Sequence, residues 1–265
     1  MEQKDIESIA MRQSAVDLGC DAEDFLSEQH RFVESAANNK ARRYLELPFL
    51  LNMVSYGSNI VVSGRRDLLG TARNYISDVG DFVHCFETPG IRKLDRAMEA
   101  HHAGVCFMAE YFLPSLQALK GLDVSCPYPA RLLGPAQFEA LYIPQWSNAL
   151  CADRKQLDIL GLGAYDGDQL VGMAACSMDA EDMWQIGIDV LPAYRRQGVA
   201  QALTAGLARE ILARDKVPFY CAAWSNIRSV RNAIASGFRP AWVEMTVKDL
   251  DFIKKMQKGK EGATA

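Results

Sequence analysis

Apolar positions in the first half of the chain change their spacing several times. Ile6, Ile9, Met11 and Val16 recur among charged residues and predict an amphipathic helix over residues 4–17. Phe25, Leu26, Phe32 and Val33 on a charged background predict a second helix over Ala22–Tyr44. The β-branched run Asn59–Ser63 predicts a strand, followed by helices near Asp67–Ile76 and Gly90–His101, and Val105–Leu113 predicts a return to strand. Strand, helices, strand is the order of a small α/β layer. Two prolines in Gly121–Pro129 break any regular element there. This predicts two domains, residues 1–125 forming an N-terminal α/β domain and residues 126–265 the second.

Beyond that loop the pattern sharpens. A helix is expected near Gly134–Tyr142, with Phe138 and Leu141 on one side. Strands Leu160–Tyr165 and Gln169–Met178 flank Asp166-Gly167, a dipeptide suited to the positive φ of a tight hairpin. In Met183–Val190, Trp184, Ile186, Ile188 and Val190 alternate with Gln185, Gly187 and Asp189, the period of a strand with one covered face. Pro192 ends it, and a helix follows with Val199, Leu203, Leu207 and Ile211 in a stripe. A strand Phe219–Trp224, a helix capped by Ser225 and closed by Gly237, and a last strand Ala241–Val247 complete the prediction.

Composition narrows the partners. With 49% hydrophobic and 23% charged residues, the 265-residue chain has the make-up of a globular protein, and its net charge of −4 provides no general field for nucleic acid or an anionic membrane. No stretch reaches the roughly 18 apolar residues of a membrane span, and no signal-like core follows Met1. The seven cysteines are scattered without a C-x-x-C pair, and only four histidines are present, which argues against a zinc site. Cys106, Cys176 and Cys221 lie in apolar runs and read as reduced core thiols of a cytoplasmic protein. A histidine pair, His101-His102, is accounted for by a helix C-terminus, where cations are favoured.

The chemistry concentrates at Tyr194-Arg195-Arg196-Gln197-Gly198-Val199-Ala200. The first backbone N–H groups of a helix lack intrahelical partners and sit at the positive end of its dipole, so a diphosphate can accept several hydrogen bonds there. Gly198 and Ala200 allow close approach, and Arg195 and Arg196 add charge that phosphate can engage. An earlier turn, Ser63-Gly64-Arg65-Arg66, echoes this one without its second small residue, and ordinary turn chemistry accounts for it. Neither G-x-x-x-x-G-K-[ST] nor G-x-G-x-x-G occurs, which sets aside a nucleotide phosphate loop.

Val190, Pro192, Tyr194, Arg195, Gly198 and Ala200 match V-x-P-x-Y-R-x-x-G-x-G/A, and Asn226 to Phe238 matches a later N-x-x-A/S…G-F helix. In these motifs the region Tyr128–Val247 resembles the GNAT superfamily of acetyl-CoA-dependent N-acyltransferases. The resemblance implies an α/β (α+β) fold with a mixed, mainly antiparallel sheet flanked by helices. Residues 1–125 have no comparable match and could be a degenerate copy of the same half. Acetyl-CoA is implied as cosubstrate, held by Ile188 and Val190 along the pantetheine, by Arg195, Arg196, Gln197, Gly198, Val199, Ala200 and Gln201 at the pyrophosphate, and by Asn226 near the pantetheine or thioester end, with Ser229 as a further coenzyme-binding residue.

Implied too is direct attack by a primary amine of a small molecule in a ternary complex, without metal, nucleic acid or membrane, in a cytoplasmic protein that could be a homodimer. Two family features are missing. The helix tyrosine that protonates the leaving thiolate in many members is Ala233 here, and the place of a strand carboxylate is taken by Trp184. Asp182, just ahead of Trp184 and next to Glu181, is the candidate base; a solvated loop acid is its other reading. Cys221 and Ser229 have no neighbouring histidine to make them nucleophiles. An acyl-CoA-binding or sensing module without turnover is the competing function. The N-terminal layer is expected to help shape the acceptor pocket.

Overall fold

The computed structural model describes residues 1–123 and 125–261; Val124, inside the predicted boundary loop, lies outside the described residues. The strands are β1 (Arg31–Glu34), β2 (Leu51–Ser55), β3 (Val61–Gly64), β4 (Ala103–Pro114), β5 (Ala130–Leu133), β6 (Asp158–Asp166), β7 (Gln169–Ser177), β8 (Met183–Val190), β9 (Val217–Ala222) and β10 (Phe238–Asp249). The helices are α1 (Gln3–Leu18), α2 (Arg66–Val79), α3 (Thr88–Glu99), α4 (Leu116–Gly121), α5 (Pro135–Phe138), α6 (Val199–Leu212), α7 (Ile227–Ala235) and α8 (Leu250–Glu261). The predicted mixed, mainly antiparallel architecture is what forms. Among the described residues no helix is long and apolar enough to cross a membrane.

Two compact units interleave along the chain. The first contains Met1–Gln13, Arg42–Tyr44 and Tyr111–Ala241; the second contains Ser14–Ala41, Leu45–Glu110 and Trp242–Ala265. Their limits fall inside α1, β4 and β10, whereas the sequence pattern predicted a single cut at residue 125.

In the first unit β5, β6, β7 and β8 pair antiparallel in chain order, and β9 joins β8 in parallel. The β6–β7 hairpin turns at Gly167, whose φ of +58° is one that glycine adopts without strain. One sheet face packs the apolar stripe of α6 (Val199, Leu203, Leu207 and Ile211) on Trp184, Ile186 and Cys176, with Tyr220, Ala233 and Phe238 in the same cluster. A second cluster gathers Phe138, Trp146, Ala149 and Leu150 from residues 138–150 on Met173 and Ala175 of β7. Because strand side chains alternate, Ala174 and Cys176 face the first cluster while Met173 and Ala175 face the second.

In the second unit the order is β1-β3-β2-β10, with β1 parallel to β3 and the other two pairs antiparallel. Leu51, Met53, Ile60 and Val62 pack with Leu68, Ala72 and Ile76 of α2 and with Leu94 and Met98 of α3.

Several predicted boundaries move. The helix expected over Ala22–Tyr44 is a single 3-10 turn, Ala22–Leu26, followed by strand β1. Phe32 and Val33 have high strand preference, and pairing with Val62 and Ser63 satisfies their backbone where a helix would not. The helix near Gly134–Tyr142 is the short α5 followed by a 3-10 turn. For α7 the cap is Asn226, not Ser225: Asn226 accepts a hydrogen bond from the Ser229 backbone N–H at 3.2 Å. Gly237, at φ +86°, closes that helix as predicted.

Candidate coenzyme site

β8 and β9 pair over only three residues, Met183, Trp184 and Gln185 opposite Val217, Pro218 and Phe219. From Ile186 to Val190 β8 keeps β7 as a neighbour through the pairs Cys176–Ile186, Ala174–Ile188 and Gly172–Val190. Among the described residues no β9 residue pairs with its opposite edge beyond Gln185. Just past the last pair, Gln185 Nε2 donates to Cys221 Sγ at 3.0 Å. A sheet edge free at this point offers N–H and C=O groups that an extended amide-bearing chain can use.

Beyond Val190 the chain turns through Pro192–Tyr194 into the start of α6. Arg196 (φ +63°) and Gly198 (φ +83°) both take left-handed conformations, and a Cβ built on Gly198 meets no atom within 4 Å. Gly198 caps α6, and the first helical bond is the Ala202 N–H to its carbonyl at 3.0 Å. The N–H groups of Val199, Ala200 and Gln201 therefore have no preceding helical carbonyl to bond. No acidic residue stands in the first turn. The result is a concentration of N–H groups and positive dipole facing open space.

Side chains brace this turn from three directions. Arg195 Nε donates to the Val190 carbonyl at 2.9 Å, so this guanidinium is tied to the end of β8. Tyr194 donates to Asp166 at the tip of the β6–β7 hairpin at 3.0 Å. Tyr128 donates to Gln197 Oε1 at 2.8 Å while its ring meets that of Tyr194 edge-on at 5.3 Å. The Gln197 and Gln201 side chains are thus structural: Gln197 reaches the Ala193 carbonyl and Gln201 the Ala235 carbonyl. Arg196 is exposed and has no ion pair among the described residues. It is the free cation of the turn.

On the face of β8 opposite α6, a Cβ at Gly187 would collide with the Asn148 carbonyl, so the 146–150 segment crosses the strand in direct backbone contact. Asp189 holds that crossing by accepting from the Asn148 and Ala149 N–H groups at 2.8 and 2.9 Å and from Asn148 Nδ2 at 2.7 Å. Sequence reasoning gave Tyr128 no part in the site, and read Gly187, Asp189 and Asp166 only as strand and hairpin positions. The one signal was a glycine and an acid in the polar phase of an alternating strand.

Asp182 is not brought to the turn. It precedes β8 at the end opposite Val190, its carbonyl accepts from Val217 N–H, and its carboxylate pairs with Lys216 at 2.8 Å. Ser229 and Ala233 lie on α7 and Asn226 caps it; Ser229 Oγ is 2.7 Å from the Tyr220 hydroxyl.

Residues 139–241 match the GNAT acetyltransferase family model. The GNAT match lies wholly within the first compact unit and contains the whole strand–turn–helix site. A search of the curated proteins finds no match. Among solved structures, an acetyltransferase of the GNAT family from Novosphingobium aromaticivorans is similar at 19% identity and TM-score 0.38, covering 55% of this chain and 66% of that one, just under two thirds. A GCN5-related N-acetyltransferase-like protein from Streptococcus suis is similar at 18% identity and TM-score 0.44, covering 72% of each chain. The yncA acetyltransferase of Salmonella typhimurium, solved with acetyl-CoA, is similar at 16% identity and TM-score 0.33, covering 46% of this chain and 93% of that one.

Proposed function

We propose that this protein transfers the acetyl group of acetyl-CoA to a primary amine of a small molecule by direct attack in a ternary complex. The observation that carries the reading is the parting of β8 from β9 after Gln185, which leads along a free strand edge to an open helix N-terminus. The pyrophosphate would take the N–H groups of Val199, Ala200 and Gln201, with Arg196 as its counter-charge. The pantetheine would run along Ile188 and Val190. Asn226, whose Oδ1 caps α7, would reach the coenzyme through its amide nitrogen.

In this arrangement catalysis comes chiefly from holding the thioester against the amine, a proximity effect able to supply several kcal/mol of barrier reduction, about 7 in favourable cases. Since Asp182 is occupied with Lys216 at the other end of β8, the amine's proton leaves through solvent. The 146–150 segment, fixed across β8 by Asp189, is positioned to form one wall for the acceptor.

The test is calorimetry with CoA followed by a thiol-release screen of acetyl-CoA against amino acids, polyamines, aminoglycosides and peptide N-termini. Stoichiometric CoA binding with release in the presence of one amine class supports the reading. Binding without release for every amine leaves a sensing module, and no binding at millimolar CoA sinks the site altogether.

A further inference from the structure

Two surface patches carry opposite charge beside exposed apolar side chains. No acidic residue occurs between Asp215 and Glu244, a stretch that contains all of α7. On that helix Ile227, Arg231 and Ile234 fall at i, i+4 and i+7 and share one face, which points outward: Ile227 is 50% and Ile234 54% exposed. Trp224, just ahead of the helix, is 47% exposed, and Arg228 and Arg231 have no ion pair among the described residues. Conversely, neither lysine nor arginine occurs between Arg12 and Arg31. There the 3-10 turn Ala22–Leu26 puts Leu26 at the surface, 63% exposed. It is flanked in sequence by Glu23 and Glu28, exposed acids that likewise have no ion pair among the described residues. The turn is held from beneath: Phe25 is fully buried, and Asn59 Nδ2 donates to the Asp24 and Gln29 carbonyls, both at 2.7 Å.

We propose that this chain docks on a second copy of itself, Leu26 seating on the outward face of α7 with Glu23 and Glu28 against Arg228 and Arg231. The occupant follows from the charges. Packing α7 on its own counterpart would oppose arginine to arginine, whereas the turn around Leu26 brings the acids that the α7 stretch lacks. Both elements are fixed before they meet, α7 by Asn226 at its start and Gly237 at its end, so docking orders little new chain. The contact is heterologous: two of them related by a twofold axis close a dimer, and otherwise they continue as a chain of copies. Each joins only a few side chains, fewer than the roughly 20–30 residues a side of a standard interface, and exposed ion pairs are weak. The affinity is therefore expected to be about micromolar or weaker and to fall as salt rises.

The experiment is sedimentation velocity of the full chain across about 1–200 μM at low salt, a range in which a contact of that strength shows its onset. The mean mass should rise with concentration. Arg228→Glu with Arg231→Glu, or Glu23→Lys with Glu28→Lys, should weaken the association at least about tenfold, and the fourfold variant, in which the charges are exchanged, should restore it. All four residues are exposed, so the variants should melt close to the wild type. Trp224 supplies an optical readout. Because Trp146, Trp184 and Trp242 are buried, acrylamide quenching reports chiefly on Trp224 and should drop as copies associate. Nothing in the experiment depends on the acetyl-transfer reading. A protein monomeric throughout the range, or an association indifferent to either reversal, would overturn the proposal. Failure of the fourfold variant to associate would overturn it too, since the two patches would then be meeting something other than each other.

Discussion

The chain contains two strand–turn–helix junctions with a glycine and two arginines, and they use those residues in opposite ways. At the end of β3, a Cβ on Gly64 would lie 2.7 Å from the Leu50 carbonyl and 2.8 Å from Leu51 Cδ1, so this glycine is needed for packing. Arg65 donates to Asp67 through Nε and Nη2, at 2.6 and 2.9 Å, and Arg66 pairs with Glu34 at 2.7 Å. Asp67 also supplies a negative charge to the first turn of α2. At the end of β8, Gly198 has open space, Arg196 has no ion pair among the described residues, and the first turn of α6 has no acid. One junction neutralises itself; the other leaves its N–H groups and cation for a ligand. A glycine and a pair of arginines carry little meaning until their partners are known.

The largest effect that would test this contrast comes from Gly198→Glu. A carboxylate placed at the start of α6 competes for the same N–H groups and repels a diphosphate, so CoA affinity should fall at least about 100-fold by calorimetry. Gly198→Ala is the control for conformation. It carries the roughly 1 kcal/mol cost of a left-handed non-glycine residue without the charge, and should bind CoA much better than the glutamate variant. Equal binding by wild type and Gly198→Glu would show that the turn is not the phosphate site.

Gly64→Ala tests the other half. Its Cβ meets backbone, which cannot swing aside as a flexible side chain can, so overpacking should cost about 1–3 kcal/mol in denaturant unfolding. Retained stability would mean that the β3 junction is looser than its contacts indicate.

The two junctions also mark how far the sequence could be read. The strand, turn and helix from Met183 to Leu212 were legible because alternation, Pro192 and an i, i+4 stripe agreed with one another. Their environments were not, since nothing local in Gly64 or Gly198 tells which is crowded. β1 was misread as helix because Phe32 and Val33 acquire their meaning from β3, some thirty positions away in sequence. β5, with three exposed residues out of four, has no periodic signature of burial at all. Within the site, the turn was visible, but its braces at Asp166 and Tyr128 depend on contacts across the fold. Asp182 could be placed next to β8 from the sequence, but not its pairing with Lys216 at the end of that strand opposite Val190.

Paired arginine substitutions are expected to give a smaller separation. Arg196→Ala removes an exposed cation, so CoA affinity should fall roughly 3- to 10-fold, with the difference shrinking as salt rises. Arg66→Ala should leave CoA binding unchanged, because that guanidinium already has Glu34. Equal losses from both would mean that the effect is one of net charge and not of site.

Asp67→Asn should have the smallest effect, and its sign follows from pH. The bidentate contact with Arg65 holds the Asp67 carboxyl below its ordinary value of 3.8, with burial opposing slightly. A carboxylate whose pKa is lower in the folded state contributes stability that is present above its unfolded pKa and is lost as the pH falls through its folded one. The variant should therefore melt slightly below the wild type at pH 7, and the two curves should converge as the pH drops beneath 3.8. The effect stays small because the group is exposed and screened by solvent. An equal melting-temperature gap at neutral and acid pH would show that Asp67 acts through its shape and hydrogen bonds alone. That result would weaken the contrast with α6, where the absence of such a charge is what leaves the helix N-terminus open.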